Sequence, residues 1–158
     1  MADGGDSTSR ITGRPAMQTV QQLLEDKGSE IWHIGPDATV YEAVRVMAEK
    51  GVGALLVMEN DRLVGIVSER DYARQVILKG RASRETPVSE IMTSRVVASR
   101  PDQRISSCLA LMTEKRIRHM PVIRDDAVIG VVSIGDLVKA IIADQQTTIE
   151  HLQHYITG

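Results

Sequence analysis

Pro36 to Asp71 reads PDATVYEAVRVMAEKGVGALLVMENDRLVGIVSERD, and Pro101 to Asp136 reads PDQRISSCLALMTEKRIRHMPVIRDDAVIGVVSIGD. The second stretch begins 65 residues after the first and aligns with it without a gap. Pro36/Pro101, Asp37/Asp102, Met47/Met112, Glu49/Glu114, Lys50/Lys115, Asp61/Asp126, Gly65/Gly130, Ser68/Ser133 and Asp71/Asp136 are identical pairs. Apolar character also agrees where letters differ, as at Val40/Ile105, Val44/Leu109 and Leu63/Val128. One supersecondary unit built twice is the simplest reading of such a repeat.

Within each copy the hydrophobic period changes in a set order. Val40, Ala43, Val44 and Met47, and likewise Ile105, Cys108, Leu109 and Met112, recur at helical spacing. Asp37 and Asp102 precede these helices, where a negative charge favours the positive end of the dipole. ALLVM and MPVI then read as buried strands, ENDR and RDDA as turns, and LVGIV and VIGVV as return strands of a hairpin. A helix opens after Ser68 and again after Ser133. IWHI and VVAS lead into the copies as a further strand, so each unit is predicted as β-α-β-β-α. The predicted fold class is mixed α/β, of the α+β kind, built from two such units.

The flanks differ from the repeats. Residues 1–16 are rich in Gly, Ser, Thr and Asp and offer little to bury, so they are expected to form a mobile extension. MQTVQQLLEDKG predicts a short amphipathic helix, which assigns 17–80 to the first repeat with its lead-in helix. The second repeat with its linker is assigned to 81–142, the linker carrying a helical turn at VSEIM. Residues 143–158 extend the last helix, where Ile142, Ile149, Leu152 and Ile156 form an apolar stripe of the kind that suits a partner surface or packing on the chain itself.

Composition narrows the function classes. The chain has 158 residues, net charge −2, one Trp, three Tyr and no Phe. Neither a basic field nor a base-stacking platform is present, which disfavours nucleic acid. The longest apolar run, Gly53 to Met58, is far too short for a bilayer span. A single cysteine, Cys108, excludes a disulfide framework and suits a reducing, cytoplasmic setting. There is no P-loop, no Gly-x-Gly-x-x-Gly turn and no pair of catalytic acids, so no enzyme is expected. His151 and His154 alone are too few ligands for a metal site.

GIVSERD and GVVSIGD, each closing a β-α-β-β-α unit, resemble the end of a CBS domain, and the doubled pattern resembles a stand-alone CBS pair, or Bateman module. VSEIMTSRVVASRPD is similar to the usual lead-in to a second such domain, and RHMPVI to the strand before its hairpin. The resemblance covers about Met17 to Ile142. It implies that the repeats pack about a pseudo-two-fold axis as a Bateman module, with two clefts between them that take adenosine-containing ligands (AMP, ADP, ATP, NAD or S-adenosylmethionine), and a homodimer that regulates a protein partner. No catalytic cofactor or metal is implied.

On that resemblance Asp71 and Asp136, with Ser68 and Ser133, are the ribose-binding candidates. A carboxylate can accept both hydroxyls of a ribose, at about 1.5–3 kcal/mol per hydrogen bond to a charged group. Capping alone also explains Ser-x-x-acid, and that alternative stays open for both serines. Arg118, His119 and Arg70 are the phosphate candidates, because arginine grips phosphate bidentately. Copy one has Gly53 and Ala54 where copy two has Arg118 and His119, and Gly135 stands opposite Arg70. The two sites are therefore expected to be unequal, and Arg118 and His119 could serve a ligand held by copy one. His33, Ala54, Met120 and Pro121 are the base-pocket candidates, although His33 reads better as a packed or partly exposed strand residue than as a specific contact. The competing function is a dimerisation scaffold whose clefts stay empty.

Overall fold

The computed structural model describes residues 18–28 and 30–157. The expected N-terminal extension, 1–16, lies outside them, as does the side chain of Ile156. The elements run α1 (Val20–Lys27), β1 (His33–Ile34), α2 (Val40–Lys50), β2 (Ala54–Glu59), β3 (Arg62–Ser68), α3 (Glu69–Tyr72), α4 (Ile105–Lys115), β4 (His119–Arg124), β5 (Ala127–Ser133) and α5 (Ile134–Thr157). A π-helical turn, Ala73–Ile77, prolongs α3, and a 3-10 turn, Val88–Glu90, lies in the linker.

The two hairpins repeat each other residue by residue. β2 pairs antiparallel with β3, and β4 with β5, and both carry a register shift at the same place, Val57/Met58 and Val122/Ile123. Both turn residues of each hairpin have positive φ: Asn60 and Asp61 in one, Asp125 and Asp126 in the other. A two-residue hairpin turn demands that conformation, and Asn and Asp tolerate it. β1 runs parallel to β2. Its counterpart in copy two shrinks to one parallel bridge, Ser99 to Val122, so the strand expected at VVAS is reduced to a single pairing.

Helix starts are set by residues other than the two predicted aspartates. Thr39 caps α2 by accepting from the Glu42 N–H, and Arg104 stands at the same place before α4 without a side-chain cap. Asp37 and Asp102 lie before these caps, and Asp102 is paired with Arg100.

Two cores form, one per repeat. Val40, Ala43, Met47, Leu55, Val57, Val67 and Val76 build the first, and Ile105, Cys108, Met112, Met120, Val122, Val132 and Leu137 the second. Cys108 is buried, and burial pushes its thiol up, so it stays a protonated core residue.

The connecting segments are exchanged between these cores. Val20, Leu23 and Leu24 of α1 pack into the second core, and Val88 and Ile91 of the linker pack into the first. The hydrogen bonds follow one scheme. Val20 N–H donates to Gln103 O and Gln21 N–H to Pro101 O, while Val88 N–H donates to Ala38 O and Ser89 N–H to Pro36 O. Residues 18–27 thus correspond to 86–95, at a spacing of 68 rather than 65. The sequence boundary that groups α1 with the first repeat therefore differs from the packing, which joins it to the second. Leu24 closes over Gly130 and Met92 over Gly65, where any Cβ would collide.

Candidate functional site

Strand β3 ends at Ser68, and the chain turns into α3 through reciprocal hydrogen bonds. The Asp71 N–H donates to Ser68 Oγ at 3.2 Å, and the Ser68 N–H and hydroxyl donate to Asp71 Oδ2 at 2.9 and 3.0 Å. Copy two repeats the box: the Asp136 N–H donates to Ser133 Oγ at 3.0 Å and the Ser133 N–H to Asp136 Oδ2 at 2.9 Å. Both serines therefore cap, and both aspartates are held at the third helical position by their own backbone. Neither Oδ1 has a hydrogen-bond partner among the described residues.

Each aspartate faces a cleft. The Asp71 cleft has a volume of about 640 Å³ and the Asp136 cleft about 390 Å³. Gly53, Ala54, Ile66 and His119 line both and form the wall between them. Gly53 is close-packed there: a Cβ would lie 3.2 Å from Glu69 Oε1 and 3.3 Å from the His119 ring.

Charge separates the two clefts. Arg70, Arg74, Arg95, Arg116 and Arg118 line the first, against Glu69 and Asp71. Lys27 and Lys50 line the second, against Glu30 and Asp136. The first is strongly positive and the second is balanced. Arg70 crosses from α3 to the other repeat, donating from Nη1 to the Arg116 carbonyl at 3.0 Å. Arg116 can present that carbonyl because it sits in the left-handed region, φ 58, where copy one has Gly51.

The titratable groups respond to these surroundings. Burial pushes the Asp71 carboxyl above its usual range, against the Ser68 hydrogen bonds and the charges of Arg70 and Arg74. Burial acts the same way on Asp136, but the Lys27 ammonium and Ser133 outweigh it and hold that carboxyl below its usual range. Burial lowers His119, and Arg118 and Lys27 lower it further against Asp136, so the imidazole is neutral at pH 7.

The ribose and phosphate candidates Ser68, Asp71, Arg70, Arg118 and His119 come together on the first cleft, and Ser133, Asp136 and His119 on the second. Of the base-pocket candidates, Ala54 lines both clefts. His33 is exposed on β1 and lines neither. Met120 and Pro121 are buried and also line neither: Met120 packs into the second core, and Pro121 lies under the lead-in segment, its carbonyl accepting the Ser99 N–H. The apolar walls of the first cleft are instead Ile66, Val96, Val97 and Ile117. Arg74, Arg95 and Lys27 escaped the sequence reading. Arg74 lies one turn after Asp71, and Arg95 and Lys27 share a place only at the spacing of 68.

Two repeats of a helix, a hairpin and a closing helix, with paired clefts between them, define a tandem-repeat module. The chain belongs to the CBS domain family, whose profile matches residues 28–77 and 88–143. It is 40% identical over 150 residues to the mitochondrial CBS domain-containing protein CBSX3 of Arabidopsis thaliana, covering 89% of this chain and 72% of that one. A protein with CBS domains from Burkholderia ambifaria superposes with a TM-score of 0.78 at 52% identity, over 80% of this chain and 96% of that one. The CBS domain pair of protein MJ0100, solved with 5′-methylthioadenosine and S-adenosyl-L-methionine, shares the fold at 20% identity and a TM-score of 0.71, over 80% and 98%. Among the described residues no helix is long and apolar enough to cross a membrane.

Proposed function

We propose that this CBS pair is a regulatory module that senses an anionic adenine nucleotide (AMP, ADP, ATP or NAD) in the cleft around Asp71. The observation that carries the reading is the convergence of five arginines and one carboxylate with an uncommitted oxygen on a single cavity of about 640 Å³. That volume suits a nucleotide-sized ligand. Asp71 Oδ1 is available to a ribose diol, the guanidiniums to phosphates, and Ile66, Val97 and Ile117 to a base. Asp71 and Ser68 come from the first repeat, and Arg116, Arg118 and His119 from the second. A ligand there binds both repeats at once and biases their relative arrangement, which is how occupancy becomes a signal. The MJ0100 pair, with two adenosine compounds bound, supports an adenosine-containing ligand, and the preference for an anionic one rests on the arginines of this cleft.

The scaffold reading rests on α5. Val138, Ile142, Ile149 and Leu152 are exposed, and with Gln145 they occupy alternating d and a positions of a heptad. Ile at a and Leu at d favour a two-stranded coil. A homodimer through α5 is compatible with nucleotide sensing and would present the clefts to a regulated protein. The buried Cys108 thiol suits a reducing compartment such as the cytoplasm.

A thermal-shift panel of AMP, ADP, ATP, NAD and S-adenosylmethionine tests the proposal. A ligand at about 100 times its Kd stabilises by roughly 2.7 kcal/mol, or about 5–10 °C for a chain of this size. The phosphate-bearing ligands should shift Tm and cationic S-adenosylmethionine should not. No shift with any of them would leave the scaffold as the function.

A further inference from the structure

We propose that the second cleft carries its own occupant: Lys27, supplied by α1, fills the place at Asp136 that a sugar diol would take, so the module binds one nucleotide per chain at Asp71. The proposal rests on the reading of Asp71 as a ribose acceptor and extends it to the stoichiometry of the pair. Lys27 is the last residue of α1, which Val20, Leu23 and Leu24 anchor in the second core. From there its Nζ donates to Asp136 Oδ2 at 2.7 Å and to the Val131 carbonyl at 3.0 Å. Oδ2 also accepts the Ser133 N–H, much as Asp71 Oδ2 accepts from Ser68, so what sets Asp136 apart is the ammonium lying against it in the cleft. A ribose would bring two O–H donors to the carboxylate. The ammonium brings N–H donors to the same group, with a full charge, on a short tether.

The first cleft is the internal control. Arg95 stands at the place equivalent to Lys27 and lines the cavity with Asp71. It has no hydrogen bond or ion pair among the described residues, so the Asp71 carboxylate is left to an incoming ligand. Charge points the same way. With Lys27 neutralised by Asp136, the second cleft keeps no cationic surplus for phosphate, whereas the first keeps five arginines against two acids. A nucleotide entering the second cleft must first displace Lys27. Losing one hydrogen bond to a charged group weakens that site roughly ten-fold or more.

Isothermal titration of the full chain with ADP, and with adenosine as a probe that carries no phosphate charge, tests this, comparing wild type, Lys27→Met and Lys27→Met/Asp136→Ala. Methionine keeps the aliphatic stem that covers the cleft wall, and Lys27→Gln serves as the second variant if the first folds poorly. The expected result is one ADP per chain in the wild type, abolished by Asp71→Ala. Lys27→Met should gain a second site for uncharged adenosine, tightened at least about ten-fold over wild type, and adding Asp136→Ala should remove it. Two comparable sites in the wild type overturn the proposal. A single site in both wild type and Lys27→Met overturns it while the Asp71 reading stands. Binding to Lys27→Met alone supports the Lys27 role and overturns the Asp71 assignment. No binding to either overturns both.

Discussion

Replacing Gly65 by alanine tests the exchange of connecting segments between the cores. A Cβ at Gly65 would lie 2.6 Å from Met92 Sδ, 3.0 Å from Met92 Cγ and 3.0 Å from the Thr93 carbonyl oxygen. Ordinary heavy-atom contact is about 3.5–4.0 Å, so the linker must retreat by roughly 1 Å. Met92 can swing aside, but the Thr93 backbone cannot. It is tied to Ile66 by two hydrogen bonds, Ile66 N–H to Thr93 O at 3.0 Å and Thr93 N–H to Ile66 O at 2.9 Å. Overpacking costs about 1–3 kcal/mol, and stretching two backbone hydrogen bonds adds up to about 1 kcal/mol each. The stiffer unfolded chain returns about 0.4–1 kcal/mol. Gly65→Ala should therefore destabilise by about 2–3 kcal/mol. The control is Gly130→Ala, whose Cβ would meet only the Leu24 side chain, at 2.7 and 3.0 Å from its methyls. Leu24 can rotate, so the cost there should be about 1 kcal/mol. Urea unfolding at constant m reads both numbers. A Gly65→Ala cost below about 0.5 kcal/mol, or no larger than that of Gly130→Ala, would refute the docking of the linker on β3.

Three further outcomes follow from the site. His119 is held below its usual pKa, so its contribution to stability is complete above about pH 6.5 and is lost as pH falls through the folded value; urea midpoints from pH 7.5 down to 5 should decline in the wild type and flatten over that window in His119→Gln. Arg116 sits at φ 58, where a side chain costs about 1 kcal/mol over glycine. Arg116→Gly should therefore raise Tm slightly while weakening ADP roughly ten-fold, a split that calorimetry and titration read separately. α5 runs 24 residues, about 36 Å at 1.5 Å per residue, with Ile149 and Leu152 exposed beyond the second core. Truncation after Ala143 should turn a dimeric sedimentation mass into a monomeric one, and an unchanged mass would remove α5 from the interface.

The repeat at 65 made the two hairpins, both principal helices and both Ser-x-x-Asp boxes legible, because each rests on local periodicity and turn chemistry. The resemblance to CBS domains then brought out Asp71, Arg70, Arg118 and His119 as candidates, and the fold gathers them on one cleft. What stayed hidden was long-range. Val20, Leu24 and Lys27 answer to Val88, Met92 and Arg95, a match of shape and role with few shared letters, offset by three residues from the main repeat. Nothing local says that α1 crosses to the second core, so nothing local says that Lys27 reaches Asp136. Met120 and Pro121 illustrate a second limit. As neighbours on β4 they point to opposite faces, Met120 into the second core, and neither reaches a cleft; which strand residues meet a cleft is decided by how the two sheets meet.

The most direct test of the account is a crystal structure of the full chain grown with ADP. The account predicts one nucleotide per chain, its ribose hydroxyls within 2.5–3.2 Å of the Asp71 carboxylate and its phosphates among Arg70, Arg116 and Arg118, with Lys27 still on Asp136. ADP seated at Asp136, or bound with its ribose away from both aspartates, would contradict it.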